Sequence, residues 1–274
     1  MRLAARALGV GLALALAFFG WGYWGATRPP VVVRHSYAMA GLPPGAQIRV
    51  LLLSDTHLGV PDMPPDRLAA IVAQANALKP DLILLAGDYI GGKILDMGGR
   101  PHLEPAVRPF VALQAPLGVF AVLGNHDSPK WGPVVFAAQP RPRLLVNEAV
   151  DIGPLVIAGL NSTLHGADFI RATSSLPPGK PLLLLRHEGD FLAFDKPPPG
   201  RSVLALAGHT HGGQMMLPLI GSPGEWLLGK PACRRGACTL NGWRLHVTSG
   251  AGTSWLPLRI GVPPELVLLT LTAG

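Results

Sequence analysis

Five apolar runs in this chain each end on residues able to ligate a metal ion, and that repeated ending constrains the fold more than any other feature. Leu51-Leu-Leu-Ser runs into Asp55-Thr-His57, and Leu82-Ile-Leu-Leu-Ala-Gly into Asp88. Val119-Phe-Ala-Val-Leu-Gly runs into Asn125-His126-Asp127, Leu182-Leu-Leu-Leu-Arg into His187, and Val203-Leu-Ala-Leu-Ala-Gly into His209-Thr-His211. Short apolar runs closed by turn residues read as strands buried on both faces. A sheet that delivers Asp, His and Asn at successive strand ends builds a site along one edge, where open α/β sheets bind ligands. That arrangement points to a metal-dependent hydrolase.

The segments between the runs set the fold class. Residues 66–79 place Leu68, Ile71, Val72, Ala75 and Leu78 at helical spacing before Pro80, which predicts a strand–helix–strand unit over residues 48–88. A second helical stretch is expected at about 105–114, and further strands at 144–146, 155–160, 243–248 and 266–271. Two packed sheets with helices outside form one layered α/β domain. Hydrophobic residues make up 49% of the chain and charged residues 14%, enough for a sizeable core and too apolar for global disorder. The net charge of +7 is scattered, so no nucleic-acid partner is expected.

Arg2 and Arg6 precede 21 uncharged residues, Ala7 to Thr27, and Arg28-Pro-Pro closes the run. A helix of that length spans a hydrocarbon core of about 30 Å, and Trp21, Tyr23 and Trp24 cluster where an interfacial aromatic belt would sit. A cleaved signal sequence shares the basic start and apolar centre, but the small-residue cleavage sites here are poor. The expectation is therefore a membrane anchor over 1–28, a linker or edge strand over 29–46, and a catalytic domain over 47–274. The basic start favours a single-pass inner-membrane protein with its domain exported to the periplasmic face, the cytoplasmic face being the alternative. Cys233 and Cys238 suit a small disulfide loop in an exported domain. Half of a zinc site and two free thiols are the other readings.

The residue types explain the expected chemistry. Asp88, central in the order, is the carboxylate placed to bridge two cations. Oxygen and imidazole ligands without thiolates suit two divalent ions such as Mn, Fe or Zn. His126 is placed to protonate a leaving group, with Asp127 to orient it. The stretch 215–228 is apolar and Trp-containing, either a buried loop or a lip that contacts acyl chains or a bilayer. Lys93, Arg100, Lys130 and Arg186 lie near the motif loops as candidate phosphate contacts, and His102 and His165 as candidate groove residues.

Ser54-Asp-Thr-His57, Gly87-Asp88, Gly124-Asn-His-Asp127, His187 and Gly208-His-Thr-His-Gly-Gly-Gln214 together resemble the motif set of the calcineurin-like metallophosphoesterases, over about residues 48–271. The ending from Ser249 to Leu266 is similar to a bacterial, membrane-associated phosphodiesterase subgroup. The resemblance implies a four-layer α-β-β-α sandwich with an N-terminal transmembrane helix. It implies one metal held by Asp55, His57, Asp88 and His211, and a second by Asp88, Asn125, His187 and His209. His126 would be the acid, and the substrate a phosphoester, lipid-linked in one version. A relative of that kind, the pyrophosphate hydrolase acting on UDP-diacylglucosamine in lipid A synthesis, is one alternative. A non-catalytic metal-binding scaffold is another. His187 is followed by Glu-Gly-Asp190 and the Cys233–Cys238 segment is an insertion, both departures from the family pattern that touch no expected ligand.

Overall fold

The computed structural model describes residues 2–92 and 100–274. The first half runs α1 (Arg2–Thr27), β1 (Val31–Met39), β2 (Gln47–Leu53), α2 (Pro65–Ala77), β3 (Leu82–Leu85), α3 (Arg100–Val107), β4 (Val119–Ala121), α4 (Gly132–Ala137) and β5 (Arg143–Leu144). The second runs β6 (Glu148–Asp151), β7 (Val156–Gly159), α5 (Phe169–Thr173), β8 (Leu182–Leu185), β9 (Val203–Ala207), α6 (Pro223–Leu228), β10 (Gly236–Leu240), β11 (Trp243–Val247) and β12 (Glu265–Ala273). One sheet has the order β1-β12-β2-β3-β4-β5 and the other β10-β11-β9-β8-β7-β6. The strands β2 to β5 are mutually parallel, as are β7, β8, β9 and β11, so their carboxyl ends line up.

Side chains alternate between the two faces of each strand, and here both faces are apolar. Val50, Leu52, Leu84, Leu183, Leu185 and Leu204 meet in the core between the sheets. Leu51, Leu53, Ile83 and Leu85 point the other way, onto Leu68, Ile71 and Val72 of α2 and onto Phe110. Val156, Leu182, Leu184 and Ala205 form the outer face of the second sheet with Ala172 of α5, Leu192 and Trp243. The result is the four-layer α-β-β-α sandwich. All-Leu runs are what this double burial requires, since neither face can tolerate an unpaired polar group.

Of the two readings of residues 29–46, the edge strand is the one the structure takes. Val31–Met39 pairs in parallel with β12 over nine residues, Val31 opposite Glu265 to Met39 opposite Ala273, as an edge strand of the first sheet. Its three partly buried valines are followed by exposed Arg34, His35 and Ser36, unlike the all-apolar central strands, which is why composition alone left a connection open beside a strand. The short strands β6 and β10, at the two ends of the second sheet, fall outside the sequence-based expectation. Cys233 and Cys238 are bonded to each other, fastening the entry to β10.

His246 of β11 and Tyr37 of β1 link the two sheets, with the Tyr37 hydroxyl 2.8 Å from Nδ1. Burial, with the nearby His35, lowers the His246 pKa from 6.5 to about 4. The unfolded chain therefore takes up this proton first, so the stability contribution is complete above pH 6.5 and is lost as pH falls toward 4. Wild type is expected to lose up to about 3 kcal/mol more than His246→Gln across that interval, measured by denaturant titration at a series of pH values. Parallel pH profiles for the two proteins would refute this.

Candidate metal centre

The expected ligands all converge at the carboxyl edge. Asp55 and His57 follow β2, Asp88 follows β3, Asn125 and His126 follow β4, His187 follows β8, and His209 and His211 follow β9. They form two groups, Asp55–His57–His211 and Asp88–His187–His209, each with its ligand atoms within 4.8 Å of one another. Asp88 joins them: its Oδ2 lies 3.6 Å from His57 Nε2 and 3.1 Å from His187 Nε2. Asn125 Oδ1 approaches His187 Nε2 at 3.1 Å, and His211 Nε2 lies 3.4 Å from Asp55 Oδ1.

The donor set fits metal ions on its own geometry. His57 Nδ1 can only donate to the carbonyl oxygens it faces, that of Gly91 at 2.8 Å, so in the neutral ring Nε2 presents a lone pair. That lone pair points at His211 Nε2, 3.2 Å away. His187 is placed in the same way, with Nδ1 2.7 Å from the Ala86 carbonyl and Nε2 3.2 Å from His209 Nδ1. Two imidazole nitrogens at that distance can share one proton, or both can turn their lone pairs on a cation held between them. Charge points the same way. Burial works against ionisation of Asp88, but the His187 and His57 rings outweigh it and hold the carboxyl well below the usual range. Burial likewise opposes charge on His187, yet Asp88 pushes its pKa up to about 10. Positive charge is favoured at His187, beside Asp88, while burial keeps His57 and His209 neutral with pKa values lowered to about 4, the state in which an imidazole can ligate.

Bringing the seven candidate ligands together from five loops demands unusual backbone. Asp55, His57, Asp88, His209 and His211 all have positive φ, between 42° and 73°. Such non-glycine residues cost about 1–3 kcal/mol each and persist only where the surroundings over-determine them. The glycines before the ligands serve close approach: a Cβ on Gly124 would collide with Asp88 Oδ1, and one on Gly208 with Ser54 Oγ and Asp55 Oδ2.

Several of the expected side-chain roles differ in the structure. Asp127 does not orient His126; it is fully buried and accepts the backbone N–H groups of Asp88 (2.8 Å), Tyr89 (2.9 Å) and Gly124 (2.8 Å). It therefore braces the loops after β3 and β4 against each other. Buried by the fold and facing Asp88, its pKa rises to about 7. Arg186 is buried beside Thr163 and Asp195 and does not line the cavity. Lys130 stacks on Trp131, and His165 does not line the cavity. Lys93 and the side chains of Arg100 and His102 lie outside the described residues.

His126 is half-buried at the cavity, its N–H bonded to Asp88 Oδ1 at 3.0 Å and its ring 5.4 Å from that of His57. The cavity, about 640 Å³, is lined by Asp88, Asn125, His126, His209 and His211 on one side and by Leu227, Leu228, Trp255 and Leu256 on the other. Sequence reasoning missed Arg259. Its guanidinium, fully buried, donates to the carbonyls of Ser249 (2.6 Å) and Gly252 (2.6 and 2.8 Å) and lies 3.5 Å from His211 Nδ1. The available signal was a single charge inside the apolar stretch Leu258-Arg-Ile-Gly-Val262.

A two-sheet sandwich with two oxygen and imidazole clusters at its carboxyl edge, joined by one carboxylate, has the arrangement of a metal-binding hydrolase with room for two ions. Comparison with known families places it further: residues 48–242 match the calcineurin-like phosphoesterase model. The chain is similar to an uncharacterised metallophosphoesterase of Aquifex aeolicus, 30% identical across 88% of this chain and 91% of that protein. It is similar to the phosphodiesterase YaeI of Escherichia coli, 31% identical across 82% of this chain and 83% of that one. A bovine transmembrane protein with a metallophosphoesterase domain is 29% identical across 92% of this chain and 60% of its own length. The chain belongs to the calcineurin-like phosphoesterase family and is a metal-dependent phosphoester hydrolase.

Proposed function

We propose that the protein is a single-pass, membrane-anchored phosphoesterase that hydrolyses a phosphodiester or pyrophosphate bond with water. The observation that carries this reading is the position of Asp88 Oδ2 between the two imidazole clusters. Asp55, His57, Asp88 and His211 would hold one ion, and Asp88, Asn125, His187 and His209 the other, drawn from Mn, Fe or Zn. When bound, such a pair supplies Lewis acidity to the phosphate and an acidified water nucleophile. The chain's own residues do the rest. His126, on the cavity wall next to the ligands, gives its proton to the departing oxygen, and Asp127 keeps the Asp88 and Asn125 loops in register. The complete ligand set argues against a non-catalytic scaffold.

The anchor reading, residues 1–28, draws on α1, which is long and apolar enough to cross a membrane and exposed along that window. Arg2 and Arg6 before it and the Cys233–Cys238 bond favour export to the periplasmic face of the inner membrane. A lipid-linked substrate is the second reading, favoured by the apolar wall of the cavity. A cytoplasmic nucleotide-lipid pyrophosphate such as UDP-diacylglucosamine fits the wall but not the disulfide. The test is a Mn-supplemented screen of the full chain against phosphomonoesters, bis-p-nitrophenyl phosphate and nucleotide-linked lipids. Diester or pyrophosphate turnover is expected, and His126→Gln should lower kcat by roughly 10²–10⁴-fold while leaving metal content unchanged. No metal-dependent turnover on any substrate would defeat the proposal.

A further inference from the structure

α1 does not leave the domain on a free tether. Gly22, Gly25 and Ala26 are buried. Gly22 faces Leu258 and Ile260, and a Cβ on Gly25 would collide with the Arg259 carbonyl. The Arg259 N–H donates to the Gly22 carbonyl at 2.8 Å. On its other side the Tyr23 hydroxyl donates to the Pro61 carbonyl at 3.1 Å, and the Arg67 guanidinium to the Arg28 carbonyl at 3.2 Å. The end of the helix that carries Trp21, Tyr23 and Trp24 is thus fixed on the 258–260 segment.

The same segment carries the exposed apolar side of the cavity. The Met216 N–H donates to the Ile260 carbonyl at 2.8 Å, and the Ile260 N–H to the Gln214 carbonyl at 3.1 Å. Met216 leads into a tight hairpin closed by the Leu217 N–H on Gly221, whose tip exposes Leu219 and Ile220. Helix α6 follows, with Trp226, Leu227 and Leu228 exposed by 66%, 77% and 76%. Trp255 and Leu256, exposed by 54% and 38%, precede the docking segment directly. This much large apolar surface next to one cavity exceeds the scatter of single exposed hydrophobics on a soluble protein.

We propose that this rim seats in the interface of the bilayer that α1 spans, so that the mouth of the metal cavity opens at the lipid headgroups. The inference rests on α1 being a membrane anchor. A bilayer is the occupant because the rim continues the exposed apolar surface of α1 through one hydrogen-bonded segment, 258–260. Trp226 and Trp255 have the amphipathic rings that settle at that depth. Lys230 and Arg235, exposed after α6, suit anionic headgroups.

The test uses the full chain in nanodiscs of phosphatidylcholine and phosphatidylglycerol, with and without bromine on the upper acyl chain, which quenches nearby tryptophans. Fluorescence of wild type minus that of Trp226→Phe, and minus that of Trp255→Phe, isolates each ring. At least twofold quenching of both difference signals is expected. Unquenched difference signals from a protein that resists alkaline carbonate extraction would overturn the rim placement and leave the anchor standing. Release by carbonate would remove the anchor reading and this proposal with it.

Discussion

Asp88→Asn is expected to fold, to keep at most one metal ion per chain, and to lose metal-dependent hydrolysis of bis-p-nitrophenyl phosphate by about a thousandfold or more, some 4 kcal/mol of transition-state stabilisation. The fold survives because Asn retains an oxygen for the His126 N–H now received by Oδ1 at 3.0 Å. What it lacks is the negative charge and the second oxygen lone-pair set, and Oδ2 is the atom within 3.6 Å of both His57 and His187. Without that charge, the His187 ring loses what raises its pKa, and burial then disfavours any cation in the pocket. Metal content by mass spectrometry, a thermal melt and a turnover assay separate the three statements. A variant that keeps two ions and near-wild-type turnover would show that Asp88 does not bridge.

Arg259→Met should cost about 3–5 kcal/mol of stability, the range for removing one member of a buried charged network, and lower the melting temperature by roughly 10 °C. Met matches the stem but donates nothing, so the carbonyls of Ser249 and Gly252 lose their donors in a site with no water-exposed side. The charge itself is retained in the native protein: burial brings the Arg259 pKa down to about 10, with Asp55 and Glu265 holding it up. Because the guanidinium also supports the loop under His211 and its backbone N–H holds Gly22, weaker metal retention is expected alongside the lost stability. Arg259→Lys should fall between, since one ammonium cannot replace the guanidinium fork. A loss below about 1 kcal/mol for Met would contradict the network.

The central strands were legible because their cause is local. A run buried on both faces must be apolar throughout, and Leu51–Leu53, Leu82–Leu85 and Leu182–Leu185 announce this without any partner. Edge strands have no such constraint: β1 pairs over nine residues, yet Arg34, His35 and Ser36 on its exposed part disguise it. The ligands were legible for a related reason, since they follow the strands immediately and consist of residue types with few other uses in that combination. Asp127 shows where this stops. Its place between motif residues suggested a role toward His126, and only the approach of the β3 loop, 38 and 39 residues away in sequence, reveals that its carboxylate is taken by Tyr89 and Asp88 N–H groups.

The sequence by itself determined that this chain builds a carboxyl-edge metal site on an α/β sandwich behind an apolar N-terminal helix, because strand burial, strand-end position and helix length are properties of contiguous residues. Only the tertiary structure decided which ligands group with which, that Arg259 underlies His211, and that α1 is clamped through Gly22 and Gly25 onto the segment bearing the cavity's apolar rim. Those contacts span from 22 residues of chain, His187 to His209, to more than 200, Gly22 to Arg259, and their geometry arises from the packing of two sheets that no local pattern encodes.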